Sequence, residues 1–172
     1  MGYIPKFYLR ESSISNYKIP DNVTSIRGSA FAYCDSLTSI TIPDSVTHID
    51  WRAFEGCQSL EMVIIPDSVT SIGHSVFHSC SSLKKVVIPD SVTSIDDSTF
   101  YNCSSLTSVV IPNSVTSIDA DAFSFCESLK EINFKGTKEE AIKLGIGNRA
   151  KKKWRAASSI KKIICNDGEI IL

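Results

Sequence analysis

Six cysteines, three histidines and a run of basic residues are the groups in this 172-residue chain that could do chemistry. Thiols at Cys34, Cys57, Cys80, Cys103, Cys126 and Cys165 could form disulfides or hold a metal. No Cys-x-x-Cys pair occurs, and five of the six recur at one fixed interval, each three residues after a phenylalanine. That pattern reads as a buried column of apolar thiols, and stacked copies seldom present disulfide geometry. His74 and His78 have a spacing that would bring two imidazoles to one zinc on a helix face. No further ligands recur nearby, so they read as ordinary residues of a variable stretch, and His48 stands where other copies carry serine. Serine is abundant, but none sits in a Gly-x-Ser-x-Gly elbow or keeps a constant relation to a histidine and an acid. Asp96-Asp97 and Asp119 with Asp121 are adjacent carboxylates on a variable turn and read as solvated surface. Gly145-x-Gly147 does not complete a dinucleotide fingerprint. The chain is therefore expected to be no enzyme, with no cofactor and no metal.

The formal net charge is -1, which gives no overall pull toward nucleic acid or membrane. It conceals an asymmetry: residues 1–140 carry a net -7, and residues 141–164 hold eight Lys or Arg and no acid. Lys151, Lys152, Lys153 and Arg155, with Lys161 and Lys162, could meet phosphates of RNA or DNA or an acidic patch on a protein. Trp154 would stack on a base or pack into the fold. The alternatives are a basic cap on an acidic body, and self-association of tail with body. The start, Met1-Gly2-Tyr3-Ile4-Pro5-Lys6, lacks the apolar run of a secretory leader, and no stretch approaches a membrane span. As written, the sequence is expected in the cytoplasm, and at the cell surface or secreted if it has been trimmed.

The elements that position these groups come from a repeat of 23 residues, kept without a gap. Phe31, Phe54, Phe77, Phe100 and Phe123 follow it, as do Leu37, Leu60, Leu83, Leu106 and Leu129. Ile-Pro recurs at 19–20, 42–43, 65–66, 88–89 and 111–112. A constant apolar ladder means that each repeat is one coil, whose apolar side is buried by its neighbours. The end of each unit alternates with period two: Ile40 and Ile42, Val63 and Ile65, Val86 and Ile88, Val109 and Ile111 point inward. These are short strands that pair in parallel, about 4.8 Å apart, from coil to coil. Proline after the inward isoleucine cannot donate to a ladder and ends the strand, and Asp-Ser or Asn-Ser turns the chain.

Leu37-x-x-Ile40-x-Ile42 and its copies resemble the leucine-rich repeat core. The whole unit, Ile-Pro-Asp-Ser-Val-Thr-Ser-Ile, then Phe, Cys and Ser-Leu, resembles the BspA-like class of that family over residues 14–134. Asn22 keeps the asparagine that often follows the strand, and Ser45, Ser68, Ser91 and Ser114 replace it. The resemblance implies an α/β repeat solenoid, with a parallel β-sheet on the concave side, irregular convex arcs and a short C-terminal helical cap. Residues 1–18 are expected to form an N-terminal cap and degenerate first strand, with Ile14 in the leucine place. Residues 19–134 would make about five coils, and 135–172 a basic cap. In that cap Thr137-Lys138-Glu139-Glu140 is a capping box, Gly145 stops the helix, a second helix is expected from Asn148 to about Ala157, and a final strand near Ile160–Cys165. BspA-like arrays often end in a similar tail.

Two surfaces emerge as candidates for binding a protein partner. On the strands, the outward columns bring Ile64, Val87 and Val110 into an apolar stripe about 10 Å long, with Met62 and Lys85 beside it. The alternative is that β-branched residues simply suit strands. At the edge of the arcs, Tyr33, Trp51, Arg52 and Tyr101, with His78 and Phe125, vary between copies and include the residue types that anchor interfaces. The resemblance implies recognition or adhesion, often at microbial surfaces. The expected function is a non-catalytic protein-interaction module. The alternatives are a small intracellular inhibitor of a nucleic-acid enzyme, of phage anti-defence or effector type, and a surface adhesin-type module.

Overall fold

The computed structural model describes residues 13–146 and 159–172. Its elements in chain order are β1 (Asn16–Lys18), β2 (Ser25–Ile26), β3 (Ser39–Thr41), β4 (His48–Ile49), β5 (Met62–Ile64), β6 (Ser71–Ile72), β7 (Lys85–Val87), β8 (Ser94–Ile95), β9 (Ser108–Ile111), β10 (Ser117–Ile118), β11 (Glu131–Phe134), α1 (Lys138–Leu144), β12 (Lys162–Cys165) and β13 (Gly168–Ile171). The main sheet runs β1-β3-β5-β7-β9-β11-β12-β13. Every pairing in it is parallel except that of β12 with β13. The register is the repeat itself: Ile40 faces Val63, Val86 faces Val109, and Val109 faces Ile132. The chain is thus a β-solenoid of about five coils.

The strands are short because proline ends them, and the turn that follows is fully used. The amides of Val46, Val69 and Val92 donate to Pro43, Pro66 and Pro89 across three residues, at 3.0–3.1 Å. The serine of each Asp-Ser or Asn-Ser turn reaches one coil back: Ser45 Oγ donates to the Val23 carbonyl and Ser68 Oγ to Val46, both at 2.7 Å, and Ser114 does the same to Val92. Serine therefore takes over the inter-coil bonding that the turn position requires. Thr47, Thr70 and Thr116 donate both backbone and side-chain hydrogens to the threonine carbonyl 23 residues earlier.

The arcs are more regular than the sequence suggests. Their Ser-Ile or His-Ile pairs form a second, two-residue-wide parallel ladder. It comes in two pieces, β2-β4-β6 and β8-β10, with no pairing between β6 and β8.

Between the two ladders lies one continuous apolar core. The five repeat phenylalanines stack in register, with centroids 5.2–5.4 Å apart and planes within 10°. A spacing wider than the strand repeat means offset stacking, the arrangement that aromatic quadrupoles prefer. Four of the repeat cysteines are donors beside this stack. Cys57, Cys80, Cys103 and Cys126 give Sγ–H to the carbonyls of Phe31, Phe54, Phe77 and Phe100 at 3.0–3.1 Å. All six cysteines are free thiols.

At the N-terminal end β1 pairs in register with β3, and Tyr17 takes the inward place, tilted on Phe31. Ile14 sits in the leucine column as expected, two residues before Asn16, and is 38% exposed where Leu37 is buried. At the other end Thr137 and Glu140 form the expected capping box, and Gly145 closes α1 at φ 81°. β12 then adds to β11 like one more coil, with Ile163 in the core. The sequence did not announce β13, which folds back antiparallel on β12. The turn between them holds the cap together: Asn166 donates from Nδ2 to Lys135 and from its amide to Gly136, and Asp167 accepts from the Lys138 amide at 2.8 Å. The second helix expected from Asn148 lies outside the described residues.

Two tests follow from the core. Phe77→Ala removes a ring with a stacked neighbour on either side and should cost about 3–5 kcal/mol in urea unfolding; a loss below 1 kcal/mol would mean that the stack closes over the gap. Burial, above all, pushes the Cys80 and Cys103 thiols well above their ordinary range. The folded chain keeps these protons while the unfolded chain loses them above about pH 8.5. Stability should thus be complete below that pH and fall above it, up to the raised folded values. Cys80→Ser, which retains a donor for Phe54, should flatten the fall by about 1.4 kcal/mol per pH unit. Parallel slopes for the variant and the parent would rule this account out.

Candidate functional site

Alternation along the main strands sends every second side chain out, and stacking aligns these into two columns. The first reads Asn16, Ser39, Met62, Lys85, Ser108, Glu131 and Lys162, and the second Lys18, Thr41, Ile64, Val87, Val110, Asn133 and Ile164. The five candidates on this face are therefore brought together. Met62, Ile64 and Val87 are 57%, 69% and 49% exposed, Lys85 is exposed, and Val110 is half-buried. A sheet face with nothing above it leaves even β-branched side chains with lateral neighbours only.

Charge frames this apolar patch. At one end Lys18 reaches Asp21 at 3.4 Å. At the other Lys162 bridges Glu131 at 3.2 Å and Glu169 at 3.6 Å. Asn133, donating to Glu131 at 3.0 Å, and then Lys162 hold the Glu131 carboxyl below its usual range. The same carboxylate, then Glu169, raises Lys162. Lys85 makes no ion pair with a described residue and stands beside the patch as an uncommitted cation.

Tyr33, Trp51, Arg52 and Tyr101 lie on the arcs, apart from the strand face. Here the 23-residue step pairs unlike residues. Trp51 stacks on His74, 23 positions on, with planes 10° apart, and its other side lies over Gly28, where a Cβ would come within 2.5 Å of the indole. His78 stacks on Tyr101 at 4.9 Å, and Tyr101 meets Phe125 at 5.0 Å, tilted. The two histidines are thus held in separate ring pairs. Among the described residues no three metal-ligating side chains come together. Arg52 lies 3.7 Å from Glu55.

The arcs also contain two columns of left-handed backbone. Ser29, Arg52, Ser75 and Ser98 form one, and Tyr33, Gly56, Ser79, Asn102 and Phe125 the other, all with φ between 53° and 69°. An open groove of about 460 Å³ lies on this side, with Ile95 and Ile118 among its lining and His74, Asp96, Asp97 and Asp119 around them. Its residues come from the coils of β6, β8 and β10.

These features agree with what the chain is similar to. The family described as "BspA type Leucine rich repeat region" matches residues 2–130 and 93–143, in six copies. The chain belongs to this BspA-type leucine-rich repeat family. A leucine-rich cell surface protein of Faecalibacterium prausnitzii is 36% identical, with a TM-score of 0.75 over 78% of this chain and 36% of that one. A leucine-rich repeat protein of T. pallidum is 34% identical, with a TM-score of 0.68 over 71% of this chain and 59% of the other. One from Bacteroides ovatus is 38% identical, with a TM-score of 0.65 over 70% and 31%. The chain thus spans about a third to three-fifths of the length of these neighbours. No curated protein matches. Leucine-rich repeat proteins are generally binding modules, and the matches indicate no enzyme family. Among the described residues no helix is long and apolar enough to cross a membrane. Lys151, Lys152, Lys153 and Arg155, with Trp154, lie outside the described residues.

The ring of Tyr33 covers Gly56, where an added Cβ would come within 2.5 Å of it on a backbone at φ 69°. Gly56→Ala should therefore cost about 1–2 kcal/mol and displace Tyr33, seen as a change in tyrosine near-ultraviolet signal. An unchanged melting temperature would contradict this packing.

Proposed function

We propose that the chain is a non-catalytic recognition module whose concave strand face captures a protein partner, with the aromatic edge of the arcs as a secondary contact. The observation that carries this reading is the exposure of Ile64, next to Met62 and Val87, on a face whose ends are closed by ion pairs. Apolar side chains left in water on a stiff sheet gain roughly 25 cal/mol per Å² when a partner covers them. The stacked coils hold them in place, so little ordering is needed on binding. Lys85 adds a directional element, since a partner that buries the patch must place a carboxylate or a carbonyl opposite the ammonium. The leucine-rich repeat fold supports an interaction or surface module. The cell surface protein of Faecalibacterium prausnitzii, 36% identical, favours display at a cell surface.

The double variant Ile64→Asp, Val87→Asp tests the patch. It should unfold as cooperatively as the parent yet lose at least about tenfold in affinity for the partner protein that the parent captures, as two charges buried against an apolar surface would each cost kcal-scale free energy. Equal affinity of variant and parent would move recognition away from the strands.

A further inference from the structure

The arcs carry chemistry unlike that of the strand face. Tyr33, Trp51 and Phe125 are about half exposed, and His78 and Tyr101 are partly so. Two of these rings stand where the backbone asks for something else. In the column just before the cysteine, with φ near 60°, other coils place Gly56, Ser79 and Asn102, whereas Tyr33 and Phe125 carry bulky rings in the left-handed region. Phe125 adds nothing to the core from there: it is 54% exposed and meets Tyr101 from outside. The row His78, Tyr101, Phe125 therefore forms a small aromatic patch facing water across three successive coils.

Within the two arcs themselves the charge has one sign. Residues 96–105 and 119–128, the two arcs that hold Tyr101 and Phe125, contain five carboxylates and no Lys or Arg. The groove bordered by Asp96, Asp97 and Asp119 opens on the same arcs. The strand face, in contrast, offers Lys85 beside aliphatic side chains. The two faces therefore differ in charge and in side-chain type.

We propose that the arc face of the fourth and fifth coils is a second docking surface, and that its occupant is a cationic polypeptide segment, rich in arginine rather than lysine. A guanidinium lies flat on a tyrosine or phenylalanine ring and at the same time forks onto a carboxylate with two parallel hydrogen bonds. An ammonium is a compact, strongly hydrated point charge and gains less from the rings. The aromatic patch thus supplies the preference between the two cations, and the carboxylates supply the attraction. This goes beyond capture on the strands and does not depend on it.

The test uses the whole chain and two fluorescein-labelled peptides, nona-arginine and nona-lysine, followed by anisotropy at low and at physiological salt. Nona-arginine should bind the tighter, by about fivefold or more. Phe125→Gly combined with Tyr101→Ala should weaken nona-arginine by about tenfold and bring the two peptides level. Glycine at 125 suits the local backbone, so Phe125→Gly alone removes a ring without straining the fold and should give part of the loss. Ile64→Ser with Val87→Ser, on the opposite face, should leave peptide binding unchanged. Equal binding of the two peptides by the parent, or undiminished nona-arginine binding by the aromatic variants, would show diffuse attraction to an acidic body and overturn the proposal. Peptide binding lost with the strand-face variant would overturn it as well, by placing the segment on the wrong side.

Discussion

A coil of this size turns a rim of backbone carbonyls toward its neighbour, and each buried one must meet a donor there. That constraint shapes the whole molecule, because an unmet carbonyl in the interior costs free energy on the scale of a lost hydrogen bond. In the strands the donor is the next strand's amide. In the arcs amides of a neighbouring coil also serve, as Phe54 does for Val76 and Phe77 for Thr99, and side chains at fixed places in the repeat add to them: serine onto the valine carbonyl, threonine onto threonine, and the cysteine thiol onto the phenylalanine carbonyl. The last of these lies deepest. A thiol is small and apolar enough to sit against the ring stack and still has a proton to give. This explains why a residue known for reactivity is repeated five times in a place where it cannot react.

What the sequence made legible follows from the same constraint. Stacking like on like forces Phe, Cys, Leu and Ile into constant columns, so the coil, its core and its strands could be read from the 23-residue step. The outward columns of the strands were equally readable, since a period of two leaves no choice of face. Ile64, Val87, Val110, Met62 and Lys85 are together because the register admits no other arrangement. The arcs were less transparent. No standard turn announces left-handed positions at Arg52 or Phe125, and the two-residue ladder has too few residues to show a pattern. The ring pairs Trp51–His74 and His78–Tyr101 nevertheless had a signal: their members are 23 apart. The spacing of four between His74 and His78 misleads, because it has meaning on a helix and the arc is not one. β13 stayed hidden for a different reason, as it falls outside the repeat and its partner β12 is reached only after a helix.

The two faces divide the work between main-chain order and side-chain variety. Buried positions are held fixed by their neighbours above and below, so variation is confined to the strand columns and the arc edges. On the strand side this yields an aliphatic patch with one cation and closed ends. On the arc side it yields rings among carboxylates, on the fourth and fifth coils where β8 pairs with β10. The scaffold is common to both, and the two surfaces can change independently because no side chain belongs to both.

The cap hairpin has a consequence for how such an array changes length. β13 runs antiparallel to all its predecessors, and the Asn166–Asp167 turn fastens it to the start of α1. Among the described residues this hairpin is the one place where the parallel run of main-sheet strands is broken. New units can enter between existing coils as whole copies of 23 residues, such as the stretch from Pro66 to Ile88. A duplication of that kind would leave every buried column intact and lengthen both exposed faces by one row, making recognition extensible while the ends stay constant.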